Sequence, residues 1–493
     1  MSSPRLINLL RGWPAPSLLP SKLLLRAATS VLQEPEVFVP ALQYAPNKGP
    51  TELRNALSTF LTKTFSPHSP VPIDRISTTG GASQSLGIIL NTCADPGYTR
   101  AVWVVEPTYF LACRIIDDAG LKAKSVEDGV DGIDFADFRR QLREVEDEAV
   151  REGKTGPVYK PMPRAWPAKL YKHIIYCVPS FSNPTGRCMS LKTRVELVRL
   201  AREFDALIVC DDVYDVLWWP AQGEVPKKGA IRAVIPRIVD VDRVLDGGAE
   251  RKGADGFGNA LSNGSFSKIC GPGVRTGWVE ATSKLAFALS QAGPIRSGGA
   301  SSNLTGVFVA RSLENGDLQK HITEVLIPDY AKRWKTMVQA IEEHLEPLGV
   351  QLPWKSISVA SVNDRSSTDA EVQKLAEQTF GDKSVPDVVA GGYFIYALLP
   401  KGISATDLAE QAMKENVIIQ TEALCRVPIP KSGGKEPNKA KDRFIRLCFA
   451  WEDEDMLSES IERLGKALKR MIEDPSSHSS GERSSSINQN QYS

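Results

Sequence analysis

Lys172-His173-Ile174-Ile175-Tyr176-Cys177-Val178 and Ala206-Leu207-Ile208-Val209-Cys210 flank a segment, Leu191–Phe204, with Val195, Leu197, Val198 and Ala201 on one side of a helix. The flanking runs are β-rich and nearly unbroken by polar residues, the pattern of strands buried on both faces of a parallel sheet. Strand, helix, strand in that order is the repeating unit of doubly wound α/β sheets, and it predicts an α/β fold. Upstream, Arg100–Glu106 (Arg-Ala-Val-Trp-Val-Val-Glu) has the same character and joins the sheet. Beyond Pro328 the pattern changes. A charged helical stretch, Ala331–Leu345, is followed by strands near Tyr393–Leu399 and Phe444–Phe449 and a helix around Met456–Ile472, which predicts a second, smaller α+β domain.

A chain of 493 residues is too long for one simple core and implies two packed domains. With 60 basic and 59 acidic residues the net charge is +1, which argues against a general nucleic-acid or membrane-surface protein. The eight cysteines form no Cys-x-x-Cys pair and several sit in apolar runs, so they read as reduced thiols in a reducing compartment. Five histidines show no metal-ligand spacing, and no zinc is expected. No run approaches a membrane helix or a secretory leader, so the cytoplasm is the expected location, although Arg5 and Arg11 leave organelle import open. Three stretches read as mobile: 246–264, 361–384 and the polar tail 475–493.

The chemistry centres on residues 265–278, Ser-Phe-Ser-Lys-Ile-Cys-Gly-Pro-Gly-Val-Arg-Thr-Gly-Trp. Lys268 lies among small residues that let a bulky ligand approach, and a lysine forms a Schiff base with an aldehyde. Arg275, seven positions on, suits a phosphate. An aldehyde that carries a phosphate describes pyridoxal 5′-phosphate (PLP). Such a ring needs a carboxylate beside its nitrogen to act as an electron sink, and the strand Ala206–Cys210 runs straight into Asp211-Asp212-Val213-Tyr214. Carboxylates at the carboxyl end of a parallel strand face the ligand crevice. Asn183, in Ser182-Asn183-Pro184-Thr185-Gly186, follows another strand and offers an amide to the ring's phenolate oxygen, though the same residues also make a tight turn. Gly80-Gly81-Ala82-Ser83 precedes a helical run and offers amides to an anion. Tyr109 follows a third strand and can stack on the ring or plug the core. Arg446, inside the apolar strand Phe444–Phe449, is either half of a structural ion pair or the fork for a substrate carboxylate.

In their order, these segments resemble the fold-type-I PLP enzymes, specifically the class I and II aminotransferases. The match comprises Gly-Ala-Ser-Gln at 81–84, Pro-Thr-Tyr at 107–109, Asn-Pro-Thr-Gly at 183–186, Asp-Asp-x-Tyr at 211–214, Ser-x-Ser-Lys with Pro-Gly-x-Arg at 265–275, and Arg446. Gly12-Trp13-Pro14 and Leu42-Gln43-Tyr44-Ala45-Pro46 look most like the 2-aminoadipate and aromatic amino-acid branch. The resemblance implies a large domain with a mostly parallel central sheet over 46–327 and a small domain over 328–474. An N-terminal segment, 1–45, is expected to pack on the small domain and the active site. It implies that Lys268 is the Schiff-base lysine and proton carrier, and that Asp211 rather than Asp212 pairs with the ring nitrogen. Tyr214 and Asn183 are implied at the phenolate oxygen and Tyr109 over the ring. Ala82, Ser83, Ser265 and Arg275 are implied around the phosphate, and Arg446 with the Gly12 backbone at the substrate carboxylate. Tyr44 is implied to reach the phosphate of a neighbouring subunit, which makes the protein a homodimer. The expected reaction moves the amino group of an L-amino acid, aromatic or 2-aminoadipate-like, to a 2-oxo acid such as 2-oxoglutarate. The same residues also serve a PLP lyase or synthase (a C–S lyase or an aminocyclopropane-carboxylate synthase), or a non-catalytic PLP-binding protein.

Overall fold

The computed structural model describes residues 5–474 except 130–131, 161–167, 223–224, 226–230, 363–369, 381–385 and 429–441. Eight strands form the central sheet, in the order Ile76–Thr79, Gly277–Glu280, Ala260–Ser265, Ala206–Asp212, His173–Cys177, Ala101–Glu106, Ala123–Gly129, Gly132–Ile133. The five strands from Ala260–Ser265 to Ala123–Gly129 pair in parallel, and Gly277–Glu280 runs antiparallel to both neighbours. Helices cover the sheet, so the middle strands bury nearly every side chain; Ile174, Ile175, Leu207, Ile208 and Val209 have no exposed surface.

The strand–helix–strand unit forms for local reasons. Ser190 caps the helix Leu191–Glu203 by accepting from the Thr193 amide at 3.1 Å. The helix buries Val195, Leu197, Val198 and Ala201 on the sheet. Asp205 then takes a left-handed conformation (φ 52°), which a short polar side chain tolerates, and turns the chain into Ala206–Asp212.

A smaller antiparallel sheet joins Phe394–Leu398, Phe444–Cys448 and Gln420–Thr421, with Phe444–Cys448 in the middle. The helices Ile327–His344 and Glu454–Glu473 pack against each other. The N-terminal strand Ile7–Asn8 pairs in parallel with Val417–Ile418, and the Cys448 amide donates to the Leu9 carbonyl at 2.8 Å. Residues 7–9 are thereby fixed to the last third of the chain.

Two segments expected to be mobile carry regular structure. The stretch 246–264 ends in a central strand, Ala260–Ser265, whose entry is held by Asp242: its Oδ2 accepts from the Asn259 and Ala260 amides at 2.8 and 3.2 Å. Its polar sequence, Ala-Leu-Ser-Asn-Gly-Ser, hid it. The stretch 361–384 contains the helix Ala370–Phe380, which buries Val372, Leu375 and Ala376. The tail 475–493 lies outside the described residues. All eight cysteines are buried and free. Among the described residues no helix is long and apolar enough to cross a membrane, and no group of His, Cys, Asp and Glu could hold a metal ion.

Candidate active site

A cleft of about 240 Å³ opens where the parallel strands end, between the two sheets. Gly12, Ala82, Ser83, Tyr109, Asn183, Asp211, Tyr214, Ser265, Lys268, Arg275 and Arg446 all line it. Tyr44 does not. Its ring packs against Gly298 outside the cleft and is 81% exposed.

Lys268 ends a single helical turn, Phe266–Lys268, that follows the strand Ala260–Ser265. Ser265 caps this turn, its Oγ accepting from the Ser267 amide at 3.1 Å, and Phe266 packs edge-on to Trp278 at 5.0 Å. The Lys268 Nζ donates to the Gly12 carbonyl at 2.8 Å. Burial pushes this ammonium down to about 8, and the Arg446 charge acts in the same direction while Asp211 opposes it. The Lys268 carbonyl accepts from the Tyr393 hydroxyl at 3.1 Å, and that hydroxyl meets the Tyr330 hydroxyl at 2.9 Å.

Asp211 and Asp212 are consecutive on one strand, so they face opposite sides of the sheet. Asp211 lines the cleft; Asp212 does not. The Tyr176 hydroxyl donates to Asp211 Oδ2 at 2.7 Å, whereas Oδ1 is buried with no partner among the described residues. Burial raises this carboxyl to about 6, against the pull of the Tyr176 hydrogen bond and the Lys268 charge. Asp212 is buried beside Asp215, and burial together with that like charge pushes it well above the carboxylate range.

On the opposite wall Arg446 is 3% exposed. Its Nη1 donates to Asn183 Oδ1 at 2.8 Å, its Nη2 donates to the Leu10 carbonyl, and its guanidinium carbon lies 4.1 Å from the Phe394 ring centre. No carboxylate of the described residues pairs with it, and its Nε has no partner. A structural ion pair is therefore not what Arg446 makes here. Because Asn183 uses its oxygen on Arg446, its amide nitrogen is left for a ligand.

The third wall is an anion cradle. Gly81 (φ 103°) turns the chain into the helix Ala82–Cys93, a backbone conformation only glycine takes without strain. A Cβ there would lie 3.0 Å from Arg275 Nη2. Arg275 is held by the Gly80 and Pro272 carbonyls at 2.5 and 3.0 Å, close to the helix's first amides. The Asn263 side chain holds the Ala82 carbonyl at 2.9 Å, and Tyr109 and Ser83 both line this wall.

Sequence reasoning missed Tyr176, Tyr393, Arg11 and Trp13. Tyr176 carries a polar tip inside an otherwise apolar strand, a signal that a buried partner waits for it. The others depend on contacts between distant parts of the chain.

The family profile aminotransferase class I and II matches residues 15–464. An uncharacterized protein of Saccharomyces cerevisiae is 30% identical over 485 residues, covering 94% of this chain and 97% of that protein. Aromatic-amino-acid aminotransferase 1 of Thermococcus litoralis is 26% identical, covering 94% and 88% respectively. Among solved structures, the multiple substrate aminotransferase of Thermococcus profundus superposes with a TM-score of 0.68 at 25% identity, covering 96% of this chain and 93% of that one.

Proposed function

The chain belongs to the class I and II aminotransferases and is a PLP-dependent transaminase; within that class we propose that it moves the amino group of an aromatic L-amino acid to a 2-oxo acid. The observation that carries the proposal is Arg446, a buried cation that no carboxylate of the described residues pairs with, in the same cleft as Lys268. A buried guanidinium left unpaired is costly, and an amino acid's α-carboxylate supplies the missing charge in bidentate form. The name of the Thermococcus litoralis relative supports an aromatic donor, and a 2-aminoadipate-like donor is the other reading of the N-terminal motifs.

The residues fit PLP. The unpartnered Asp211 Oδ1 suits a ring N–H, and the cradle of Gly81, Ala82, Ser83 and Arg275 suits a phosphate. When bound, PLP supplies a carbonyl that holds the amino group and a ring that takes up electrons released at Cα. Arg446 and the Asn183 that holds it fix the substrate carboxylate. Lys268 Nζ, shielded from bulk water, would take the proton from Cα and hold it as the ammonium. Asp211 keeps the ring nitrogen protonated, and Tyr214 and the Asn183 amide donate to the phenolate oxygen. Tyr109 would stack on the ring, and Ser265 with Ser83 would help to hold the phosphate.

Oligomeric state and compartment complete the proposal. The exposed Tyr44, with Leu25, Val39 and Leu42 nearby in sequence and 51–68% exposed, supports a homodimer in which Tyr44 reaches the neighbour's phosphate. Light scattering of the purified chain would give a dimer mass. Eight free thiols support the cytoplasm, which imaging of the tagged chain in its own cells tests. The activity test is a panel of L-amino acids with a 2-oxo acid acceptor. Wild type converts aromatic donors and exchanges the visible absorbance of the lysine-bound cofactor for that of the aminated form, and Lys268→Ala does neither. Ammonia release without an acceptor, or full activity in Lys268→Ala, would overturn the proposal.

A further inference from the structure

Arg11 occupies an unusual position at the mouth of the cleft. Its guanidinium lies 4.7 Å from the Trp13 ring centre and 5.0 Å from that of Trp451. The two indoles stand nearly perpendicular, 87° apart with centres at 5.7 Å, so they form a corner that holds the cation from two sides. Cation–π contacts fix a long side chain without neutralising it, and they leave the in-plane N–H groups free to donate. Among the described residues no carboxylate pairs with Arg11 and no acceptor bonds its side chain. Glu452 next door is already engaged, its Oε2 by Arg5 at 3.0 Å and its Oε1 by the Asn8 amide at 2.8 Å.

The backbone places this cation relative to the chemistry. The carbonyl before it, Leu10, accepts from Arg446, and the carbonyl after it, Gly12, accepts from Lys268. Arg11 thus leaves the chain between the two groups assigned to the substrate carboxylate and the reacting carbon, and both Arg11 and Trp13, on which its guanidinium rests, are among the residues that line the cleft. We propose that Arg11 is a specificity-determining residue that receives the distal carboxylate of a dicarboxylic 2-oxo acid acceptor. The inference rests on the cleft being the aminotransferase site. The indole faces beside Arg11 let an aromatic donor use the same space when the diacid is absent, so one mouth serves both half-reactions.

The test compares the wild-type holoenzyme with Arg11→Gln and Arg11→Lys, using 2-oxoglutarate and the monocarboxylic 4-methyl-2-oxopentanoate as acceptors. Arg11→Gln raises the KM for 2-oxoglutarate about tenfold or more, while its kcat and the monoacid's KM stay within about twofold. Arg11→Lys, which keeps the charge without the planar fork, recovers part of the loss. A second readout needs no turnover. By calorimetry, glutarate binds wild type more tightly than butanoate does, and Arg11→Gln removes the difference. Equal KM changes for the two acceptors, or unchanged glutarate affinity in Arg11→Gln, would overturn the inference. If the protein transaminated no pair at all while glutarate binding still depended on Arg11, the proposed activity would fall and the carboxylate subsite would stand.

Discussion

Replacing Asp211 by Asn separates the cost of building this site from its use. In the folded chain burial raises the Asp211 carboxyl from its ordinary 3.8 to about 6. At about 1.4 kcal/mol for each tenfold change in proton affinity, keeping it ionised costs the cofactor-free protein roughly 3 kcal/mol. The sign follows from proton counting. Between pH 4 and 6 the unfolded chain releases this proton while the folded chain keeps it, so stability falls as pH rises and then levels off above about 6. Asn removes the charge, and its carbonyl can still accept from the Tyr176 hydroxyl, which lies 2.7 Å from Oδ2. Cofactor-free Asp211→Asn should therefore be more stable than wild type by up to about 3 kcal/mol at pH 8, and by about half of that at pH 5. With PLP bound, wild type should be the more active of the two, because on the proposed reading Asn leaves the ring nitrogen without an anionic partner. Urea titrations of both cofactor-free proteins at the two pH values read the effect. A cofactor-free variant less stable than wild type at pH 8, or a gap that does not shrink at pH 5, would refute the reasoning.

Two further consequences can be checked on the same preparations. Since burial holds Lys268 near 8 rather than at an ordinary 10.5, the rate of PLP capture by the cofactor-free chain should climb with pH and level off above about 8; a stopped-flow absorbance profile still climbing toward 10 would contradict this. Arg446→Lys keeps a cation but cannot span Asn183 Oδ1, the Leu10 carbonyl and a carboxylate together, so steady-state kinetics should show KM for the amino acid raised about tenfold or more, with a smaller change in kcat.

Much of the site was legible because its residues sit in the loops that follow buried strands, and such strands announce themselves as unbroken apolar runs. Asp211 follows Ala-Leu-Ile-Val-Cys, and Asn183 follows Ile-Ile-Tyr-Cys-Val. Strand alternation places Asp211 in the cleft and turns Asp212 away. The strand Ala260–Ser265 was not legible, because only Ala260 and Leu261 give it core side chains and the four residues that follow are polar or glycine. Asn263 holds the Ala82 carbonyl at 2.9 Å, and Ser265 caps the turn that carries Lys268. Gly264 is required because a Cβ there would lie 2.1 Å from a Trp278 ring atom. Such a strand reads as a polar loop by any periodicity rule. The Arg11 corner was hidden for a different reason: Trp13 and Trp451 come from opposite ends of the chain, which are brought together by the pairing of the N-terminal strand with Val417–Ile418 and by the bonds from the Cys448 amide to the Leu9 carbonyl and from the Asn8 amide to Glu452.

That pairing also explains the charge balance of the cleft. Its lining holds four cations, Arg11, Lys268, Arg275 and Arg446, and one carboxylate, Asp211. Elsewhere in the protein the buried arginine Arg237 lies against Asp240 and Glu280, and the half-buried Arg426 against Glu106 and Glu422. In the cleft the supports are uncharged: the Gly12 carbonyl for Lys268, the Leu10 carbonyl and Asn183 for Arg446, the Gly80 and Pro272 carbonyls for Arg275, and two indoles for Arg11. A carbonyl dipole orients a cation without cancelling its charge, whereas a carboxylate would orient and neutralise it together. Two of those carbonyls belong to Leu10 and Gly12, so the segment that follows the short N-terminal strand holds two of the four cations, Arg446 and Lys268. The cleft therefore carries a net positive field that draws in a cofactor phosphate and substrate carboxylates. Each anion that enters finds a cation already aimed and not yet paired.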